Sequence, residues 1–108
     1  MHEKIYEELK KVARDKKLIT YTDIGEKVGL RASDLELWQM LDKINRQEHE
    51  QSHPMLSAVV VQKEGESYGA PGDGFFKLAR ELGGFGGDNK YIFWVSELNA
   101  VHNYWSSH

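Results

Sequence analysis

The chain has no cysteine, only two prolines and no long apolar run. Without cysteine it has no disulfide framework, no thiolate zinc site and no cysteine nucleophile. A membrane helix needs about 20 consecutive apolar residues, which this sequence does not offer. A secretory signal needs an apolar stretch near the N-terminus, where this chain instead reads MHEKIYEELKK. These absences predict a cytoplasmic protein that makes no contact with a membrane.

A surplus of basic residues is also absent. The chain has 14 basic and 17 acidic residues and a formal net charge of -3. Dedicated nucleic-acid binders usually carry a basic surplus, because they must neutralise phosphates, so this balance counts against DNA without deciding the matter. A chain of 108 residues can bury roughly two thirds of its unfolded surface in one core. We therefore expect one domain over residues 1–108, with no metal and no cofactor.

Three helices are predicted in the first half of the chain. Apolar residues recur at helical spacing in the first of them, at Ile5, Leu9, Val12 and Ala13. The predicted helices run from Glu3 to about Asp15, from Asp23 to Val28 after an N-cap at Thr22, and from an N-cap at Ser33 to about Gln51. Leu18 to Tyr21 is expected to be extended. Gly29 should end the second helix because glycine adopts positive φ at little cost, and Pro54 should prevent extension of the third.

The second half is predicted to mix a strand, a flexible loop and two helices. Met55 to Gln62 is rich in valine and nearly free of charge, which predicts a buried strand. Lys63 to Gly74 contains four glycines and a proline, which favours a turn or loop over regular structure. Phe75 to Leu82 is expected to be helical. A helical stripe of aromatic and aliphatic residues runs from Lys90 to Trp105, so we assign 90–106 to an additional aromatic helix.

The order of these elements is that of a winged helix-turn-helix: a short helix, a turn, a longer helix, a buried strand and a glycine-rich loop. The expected fold is therefore α+β, a single winged helix-turn-helix-like domain with a short sheet and an added C-terminal helix. Its predicted core joins one stripe of the long helix to the strand. That stripe contains Leu37, Trp38, Leu41 and Ile44.

Four segments within residues 5 to 82 match a known pattern: ITYTDIGEKVG, LRAS, HPMLSAVVV and SYGAPGDGFFKLAREL. In their order and spacing they resemble the C-terminal DNA-binding domain of the O6-alkylguanine-DNA alkyltransferases and of the cysteine-less alkyltransferase-like proteins. The resemblance assigns residues 1–82 to the family domain. It implies that Tyr21 crowds the phosphate of a flipped nucleotide and that Arg31 fills the vacated base stack.

The reactive Pro-Cys-His-Arg motif of that family is absent. Aligning the valines puts Ser57 near the position of the reactive cysteine and Ala58 at that of the histidine. A serine without a neighbouring base is not activated as a nucleophile. We therefore expect no alkyl transfer, and no catalytic activity.

Six residues are predicted to contact DNA if DNA is the ligand: Tyr21, Arg31, Lys43, Arg46, Lys16 and Lys17. From Asp34 to Gln51 the predicted recognition helix has five acidic and two basic residues, a sum of -3. Contact should therefore come from its N-terminal end. The resulting prediction is a non-catalytic DNA-binding protein, with a role in repair, regulation or defence.

Two other functions remain open. The first is a protein interaction or assembly module, which would bind a protein partner or form a homo-oligomer through Trp94 and Trp105 of the aromatic helix. The second is a small hydrolase or metal enzyme. His49 and His53 have a spacing that can share a metal on a helix. No third ligand stands nearby in the sequence, so a solvated helix end is preferred over a metal site.

Overall fold

A computed structural model describes residues 2–64 and 67–108. This part of the chain forms an α+β arrangement with five α-helices and two small sheets. The helices are α1 (His2–Arg14), α2 (Tyr21–Glu26), α3 (Leu35–Glu50), α4 (Asp73–Glu81) and α5 (Lys90–Ser106), with a 3-10 helix over Leu56–Val59. The strands are β1 (Ile19–Thr20), β2 (Val60–Val61), β3 (Lys63–Glu64) and β4 (Ser67–Tyr68). Strand β1 pairs with β2 in parallel, and β3 pairs with β4 antiparallel.

The predicted first and third helices are confirmed as α1 and α3, within a residue or two at each end. Ile5, Leu9 and Ala13 bury one face of α1 completely, as their spacing indicates. The predicted stripe of α3 lies in the same core, although Trp38 is only partly buried. The core therefore forms where α1, α3 and the 3-10 helix meet.

Helix α2 starts two residues earlier than predicted because Thr20, not Thr22, is its N-cap. The Thr20 hydroxyl accepts a hydrogen bond from the backbone N–H of Asp23 at 3.1 Å. Asp34, rather than Ser33, is the N-cap residue of α3, and its carboxylate accepts the backbone N–H of Arg31 at 2.8 Å. The positive φ expected of Gly29 is confirmed at 75°.

The predicted strand over Met55 to Gln62 is wrong for its first half. Leu56–Val59 is a 3-10 helix, and only Val60–Val61 pairs as a strand. Strand β1 is two residues long, so it offers ladder partners to two residues alone. Ser57 is held instead by Asn45 of α3, whose side-chain oxygen accepts the backbone N–H of Ser57 at 3.1 Å.

The glycine-rich segment Lys63 to Gly74 contains more regular structure than predicted, because β3 and β4 form a short hairpin within it. Gly65 and Glu66, at the end of this hairpin, lie outside the described residues. The helix predicted after the loop is confirmed as α4, which begins at Asp73 rather than Phe75.

The predicted C-terminal helix is confirmed as α5, and it packs on α1 and on the 3-10 helix. Val101 and Trp105 are buried at this contact. Helix α5 is therefore part of the core rather than an appendage. None of the helices in residues 2–64 and 67–108 combines the length and the apolar character that crossing a membrane requires.

Candidate functional site

A stacked aromatic pair lies at the centre of the candidate site. The rings of Tyr21 and Trp38 have centroids 4.6 Å apart and planes inclined by 25°. The Tyr21 hydroxyl accepts the backbone N–H of Gly72 at 2.9 Å, and the Trp38 indole N–H donates to the carbonyl of Ala32 at 3.0 Å. These two bonds fix both rings against the turn before α4 and the turn before α3. The two stacked rings form one flat surface, called the Tyr21–Trp38 wall below.

The glycines of the turn before α4 allow the backbone to approach this wall. A Cβ on Gly72 would lie 2.6 Å from the Trp38 indole, and one on Gly74 would lie 3.3 Å from it. Since the N–H of Gly72 is already bonded to Tyr21, it is not a free donor for a phosphate. The glycines at 72 and 74 therefore serve close packing.

On one side of the wall lies a cavity of about 230 Å³ between α3 and α4. Its walls include Leu41, Phe75 and Leu78, and its polar residues include Asn45 and Ser57. Ser57 is buried, and its Oγ accepts a hydrogen bond from the Asn45 amide at 2.7 Å. No histidine or lysine lines the cavity. Asp42 also lines the cavity, but among the described residues no histidine, lysine or carboxylate is hydrogen-bonded to the Ser57 hydroxyl to take its proton.

On the other side of the wall lies an open groove of about 320 Å³. It runs between the start of α2, the turn before α3 and the start of the hairpin. Thr22, Ser33 and Gln62 line it with hydroxyl and amide groups, and among the residues that the structure describes Lys63 is the charged one along it. Hydroxyl, amide and ammonium groups can all donate hydrogen bonds to anionic oxygens. The groove is therefore suited to an anionic group.

Tyr21, one of the residues predicted to contact DNA, is only 5% exposed. Burial raises the pKa of its phenol to about 12, and the hydrogen bond from Gly72 lowers that pKa by a smaller amount. The phenol is therefore neutral at physiological pH. In this conformation Tyr21 acts as a wall of both cavities rather than as a surface group.

The predicted cations lie in different surroundings. The Arg31 side chain is 86% exposed, next to the groove residues Ala32 and Ser33, and its only ion pair with a described residue is with Asp34 at 3.6 Å. Arg46 is bound by Asp42 and Glu81, and hydrogen bonds to both carboxylates raise its pKa. Its charge is therefore already compensated. Lys43 is exposed on α3.

Lys16 and Lys17 are both exposed in the turn that follows α1. Lys16 adopts a positive φ of 55°, and the backbone carbonyl of Lys17 lies 3.1 Å from Nε2 of His102. The backbone of this turn is therefore tied to α5, while both lysine side chains reach solvent. Sequence reasoning missed Lys63 as a site residue because the hairpin that begins there was interpreted as a loop.

The two tryptophans predicted to form an interaction surface are instead engaged by the domain itself. Trp105 is 7% exposed and packs edge-on against Tyr6 and His53. Trp94 is half-buried, and its indole N–H donates to the carbonyl of Ala58 at 2.9 Å. Helical spacing identified these residues as apolar but did not reveal that the helix turns them inward. The large side chains that α5 exposes are Tyr91, Ile92 and Val95.

His53 belongs to a buried polar chain rather than to a metal site. Glu48 is completely buried and accepts the hydroxyl of Tyr6 at 3.2 Å, while Nδ1 of His53 lies 3.4 Å from its other oxygen. The Tyr104 hydroxyl lies 2.8 Å from Nε2 of His53. A neutral His53 that donates to Glu48 accepts from Tyr104, so α1, α3 and α5 are tied together. Residues 2–64 and 67–108 contain no cluster of three or more histidine and acidic residues suited to a metal ion.

The two cavities and the cations around them are the candidate functional features of the described residues. No protein-family model matches the chain, and comparison with curated proteins and with solved structures found no match. The groove combines exposure, hydrogen-bond donors and a positive charge. The cavity beside Ser57 is mainly apolar, and Asp42, the ionisable carboxylate that lines it, is hydrogen-bonded to Arg46.

Proposed function

We propose that this protein is a non-catalytic DNA-binding protein of the winged helix-turn-helix type. The observation that carries the proposal is the groove between the start of α2, the turn before α3 and β3. It is lined by donors, Lys63 is the charged residue among its described lining residues, and the exposed Arg31 stands next to it. A backbone phosphate is the DNA group that fits such a groove, because phosphate contacts are made by lysine, arginine, hydroxyl and amide donors.

The arrangement of elements supports this assignment. In the proposed scheme α2 and α3 are the helix-turn-helix, α3 is the recognition helix, and the β3–β4 hairpin is the wing. The hairpin starts at Lys63, so the wing would bring a cation to the groove, next to which the exposed Arg31 also lies. DNA-binding domains of this kind insert the N-terminal part of the recognition helix and fix the register through backbone contacts.

The carboxylates of α3 should repel DNA phosphates less strongly than their number in the sequence indicates. Glu48 is buried beneath Tyr6 and His53, so it does not face a ligand. Asp42 is bound by Arg46, and Asp34 accepts the backbone N–H of Arg31. Only Glu36 and Glu50 remain as exposed carboxylates without such a partner among the described residues. The repulsion is therefore smaller than five carboxylates would produce.

The non-catalytic part of the proposal is supported by the cavity beside Ser57. Its hydroxyl oxygen accepts from Asn45, and no residue around the cavity is a histidine or a lysine. In the proposed function, the cavity and the Tyr21–Trp38 wall contribute to DNA binding and not to a chemical reaction. The role in repair, regulation or defence belongs to the same proposal.

Duplex binding measured by fluorescence anisotropy at several salt concentrations tests the proposal. We expect weak binding that falls steeply with salt, because a few phosphate contacts supply most of the affinity. Lys63→Ala and Arg31→Ala should each weaken binding and reduce the salt slope by about one. Lys77→Ala is the matched control, because Lys77 is an exposed cation on α4 that does not line the groove.

Two results would contradict the proposal. One is the absence of duplex binding at about 50 mM salt, where phosphate contacts are strong. The other is an equal loss in the Lys77→Ala control, which would indicate a general charge effect rather than a site. Circular dichroism of each variant should match that of the unmodified protein, because all three side chains are exposed.

A further inference from the structure

Helix α5 exposes a face that has no charged residue along its length. Its apolar end carries Tyr91, Ile92 and Val95, which are 65%, 68% and 49% exposed. The same face continues through Ser96, Asn99, Ala100 and Asn103, which are also exposed. Helical spacing places these residues on one side, opposite Val101 and Trp105. The two charged residues of α5 point elsewhere: Lys90 pairs with Asp73, and Glu97 binds the N–H of Met55.

The other helices in the described part of the chain differ from α5 in this respect. Charged side chains lie on their exposed faces, for example Glu7 on α1, Asp23 on α2, Glu36 on α3 and Lys77 on α4. When two copies of a protein meet through a two-fold axis, each residue near the axis faces its own counterpart. Like charges then repel across the axis. The α5 face is the helix surface that avoids this repulsion.

The side chains of this face are also able to pair with themselves. Asparagine amides and serine hydroxyls both donate and accept hydrogen bonds, so Asn99 and Ser96 can bond to the same residue types on a second copy. The apolar side chains need only an apolar or small partner. An antiparallel pairing centred near Val95 and Ser96 would set Tyr91 against Ala100 of the second copy, so that a large ring meets a small side chain.

The area of the α5 face indicates how strongly two copies should associate. Three large side chains exposed to this extent leave roughly 300 Å² of apolar surface in water, the size of the largest such patch on a typical monomer. Two copies, with their smaller neighbours, would bury on the order of 1,000 Å², at the low end for specific contacts. The face therefore fits a weak, reversible dimer rather than an obligate one.

We infer that the α5 face, from Tyr91 to Asn103, is a homodimer interface whose occupant is the same face of a second copy. The inference goes beyond DNA binding, because the face consists of α5 residues that do not line the groove. It corrects the interaction surface that the sequence predicted at Trp94 and Trp105. Dimerisation holds whether or not DNA is the ligand.

Sedimentation equilibrium without DNA, from about 10 µM to about 1 mM protein, tests the inference, since weak contacts of this size associate in that range. The unmodified protein should shift from monomer to dimer with rising concentration. Val95→Lys should remain monomeric, because two ammonium groups would meet near the axis. Leu35→Lys is the matched control: Leu35 is 70% exposed on α3, outside the face, and the change in charge and apolar area is similar.

A mixing experiment identifies the two-fold axis. Val95→Glu alone should be monomeric, whereas an equimolar mixture of Val95→Glu and Val95→Lys should dimerise again, because opposite charges then face each other. A wild-type monomer throughout the concentration range would overturn the inference. Continued dimerisation of Val95→Lys would overturn it as well, because the contact would then lie elsewhere. Circular dichroism of the Val95 variants confirms that their monomeric state reflects lost contact rather than unfolding.

Discussion

Gly25 lies inside α2, where alanine would ordinarily be the better residue. Here glycine is favoured over alanine, because the backbone after the turn returns close to Gly25. The N–H of Leu30 donates to the carbonyl of Gly25 at 2.9 Å, and a Cβ on Gly25 would lie 2.7 Å from the carbonyl oxygen of Leu30. That neighbour is backbone and cannot rotate away. The glycine therefore permits the tight turn between α2 and α3.

We predict that Gly25→Ala destabilises the protein by about 1 to 3 kcal/mol, the usual cost of overpacking. The gain in helix propensity, about 0.5 to 1 kcal/mol, is smaller and should not offset this cost. Urea unfolding measures the difference. Gly86→Ala is the control, because nothing lies within 4 Å of a Cβ at that position. An equal or more stable Gly25→Ala variant would contradict the close approach of Leu30.

Tyr21 links the stability of the fold to pH. Burial raises the pKa of its phenol to about 12 in the folded protein, against an ordinary value of 10.0 for tyrosine. Below pH 10 the phenol is protonated in both states, so its contribution to stability is fully present. Between pH 10 and 12 only the unfolded state loses the proton, so this contribution disappears as the pH rises through the folded pKa.

We predict that the free energy of unfolding falls by about 2 to 3 kcal/mol from this group between pH 10 and 12, since one pKa unit corresponds to about 1.4 kcal/mol. Tyr6, whose pKa is also raised to about 12 by burial and by Glu48, acts in the same direction. Tyr21→Phe should show a shallower decline with pH than the unmodified protein. Tyr91→Phe, which changes an exposed tyrosine, should leave this decline with pH unchanged. Identical slopes for Tyr21→Phe and the unmodified protein would contradict the burial of this phenol.

Helix α5 holds the 3-10 helix in place through two polar contacts. The indole N–H of Trp94 donates to the carbonyl of Ala58, and the Glu97 carboxylate accepts the N–H of Met55 at 2.9 Å. A 3-10 segment leaves backbone groups without ladder partners, and buried groups of this kind must be paired. Side chains of α5 supply those partners, so the segment does not need a longer strand beside it.

We predict that Trp94→Phe lowers stability by about 1 to 3 kcal/mol, because the buried carbonyl of Ala58 loses its donor. The phenyl ring keeps part of the packing, so the change should report mainly on the hydrogen bond. Thermal unfolding of Trp94→Phe is compared with that of Tyr91→Phe, the control, since Tyr91 lies on the exposed face. Only Trp94→Phe should lower the stability. A loss no greater than that of Tyr91→Phe would show that the Trp94 bond contributes little.

The charge of the whole molecule is a poor guide to its surface. The formal net charge is -3, yet the described residues that line the groove include one lysine and no carboxylate, and Arg31 stands next to it. Two carboxylates that contribute to the acidic balance are already engaged within the protein: Glu48 accepts the Tyr6 hydroxyl in the core, and Asp42 pairs with Arg46 at the surface. Local charge, rather than the total, therefore decides whether a phosphate can approach.

The protein as a whole should leave alkylated DNA chemically unchanged. Accepting an alkyl group requires a nucleophile with a base to take its proton, and Ser57 instead accepts a hydrogen bond from Asn45. We predict that incubation with DNA containing alkylated guanine leaves the mass of the protein unaltered in mass spectrometry. An adduct on Ser57 would contradict the non-catalytic proposal while leaving DNA binding open.

Periodicity in the sequence was enough to place α1, α3 and α5. The spacing of Ile5, Leu9 and Ala13 predicted α1, and the aromatic stripe after Lys90 predicted α5, because burying one helix face requires apolar residues at that interval. The positive φ of Gly29 was predicted for a local reason, the tolerance of glycine for that conformation, but α2 ends at Glu26 rather than at the predicted Val28. The resemblance to the alkyltransferase family supplied Tyr21, Arg31 and Ser57 as candidate residues, but not their surroundings.

Tertiary structure decided what local sequence could not encode. Valine-rich composition favours a strand, yet Leu56–Val59 is a 3-10 helix because Asn45 and Trp94, distant in sequence, bind its backbone. Helical spacing marked Trp105 as apolar, but only packing against α1 shows which side of α5 faces inward. The groove joins Thr22, Ser33 and Lys63 from three separate elements. Such sites depend on contacts between segments, whereas periodicity reports only on the segment that contains it.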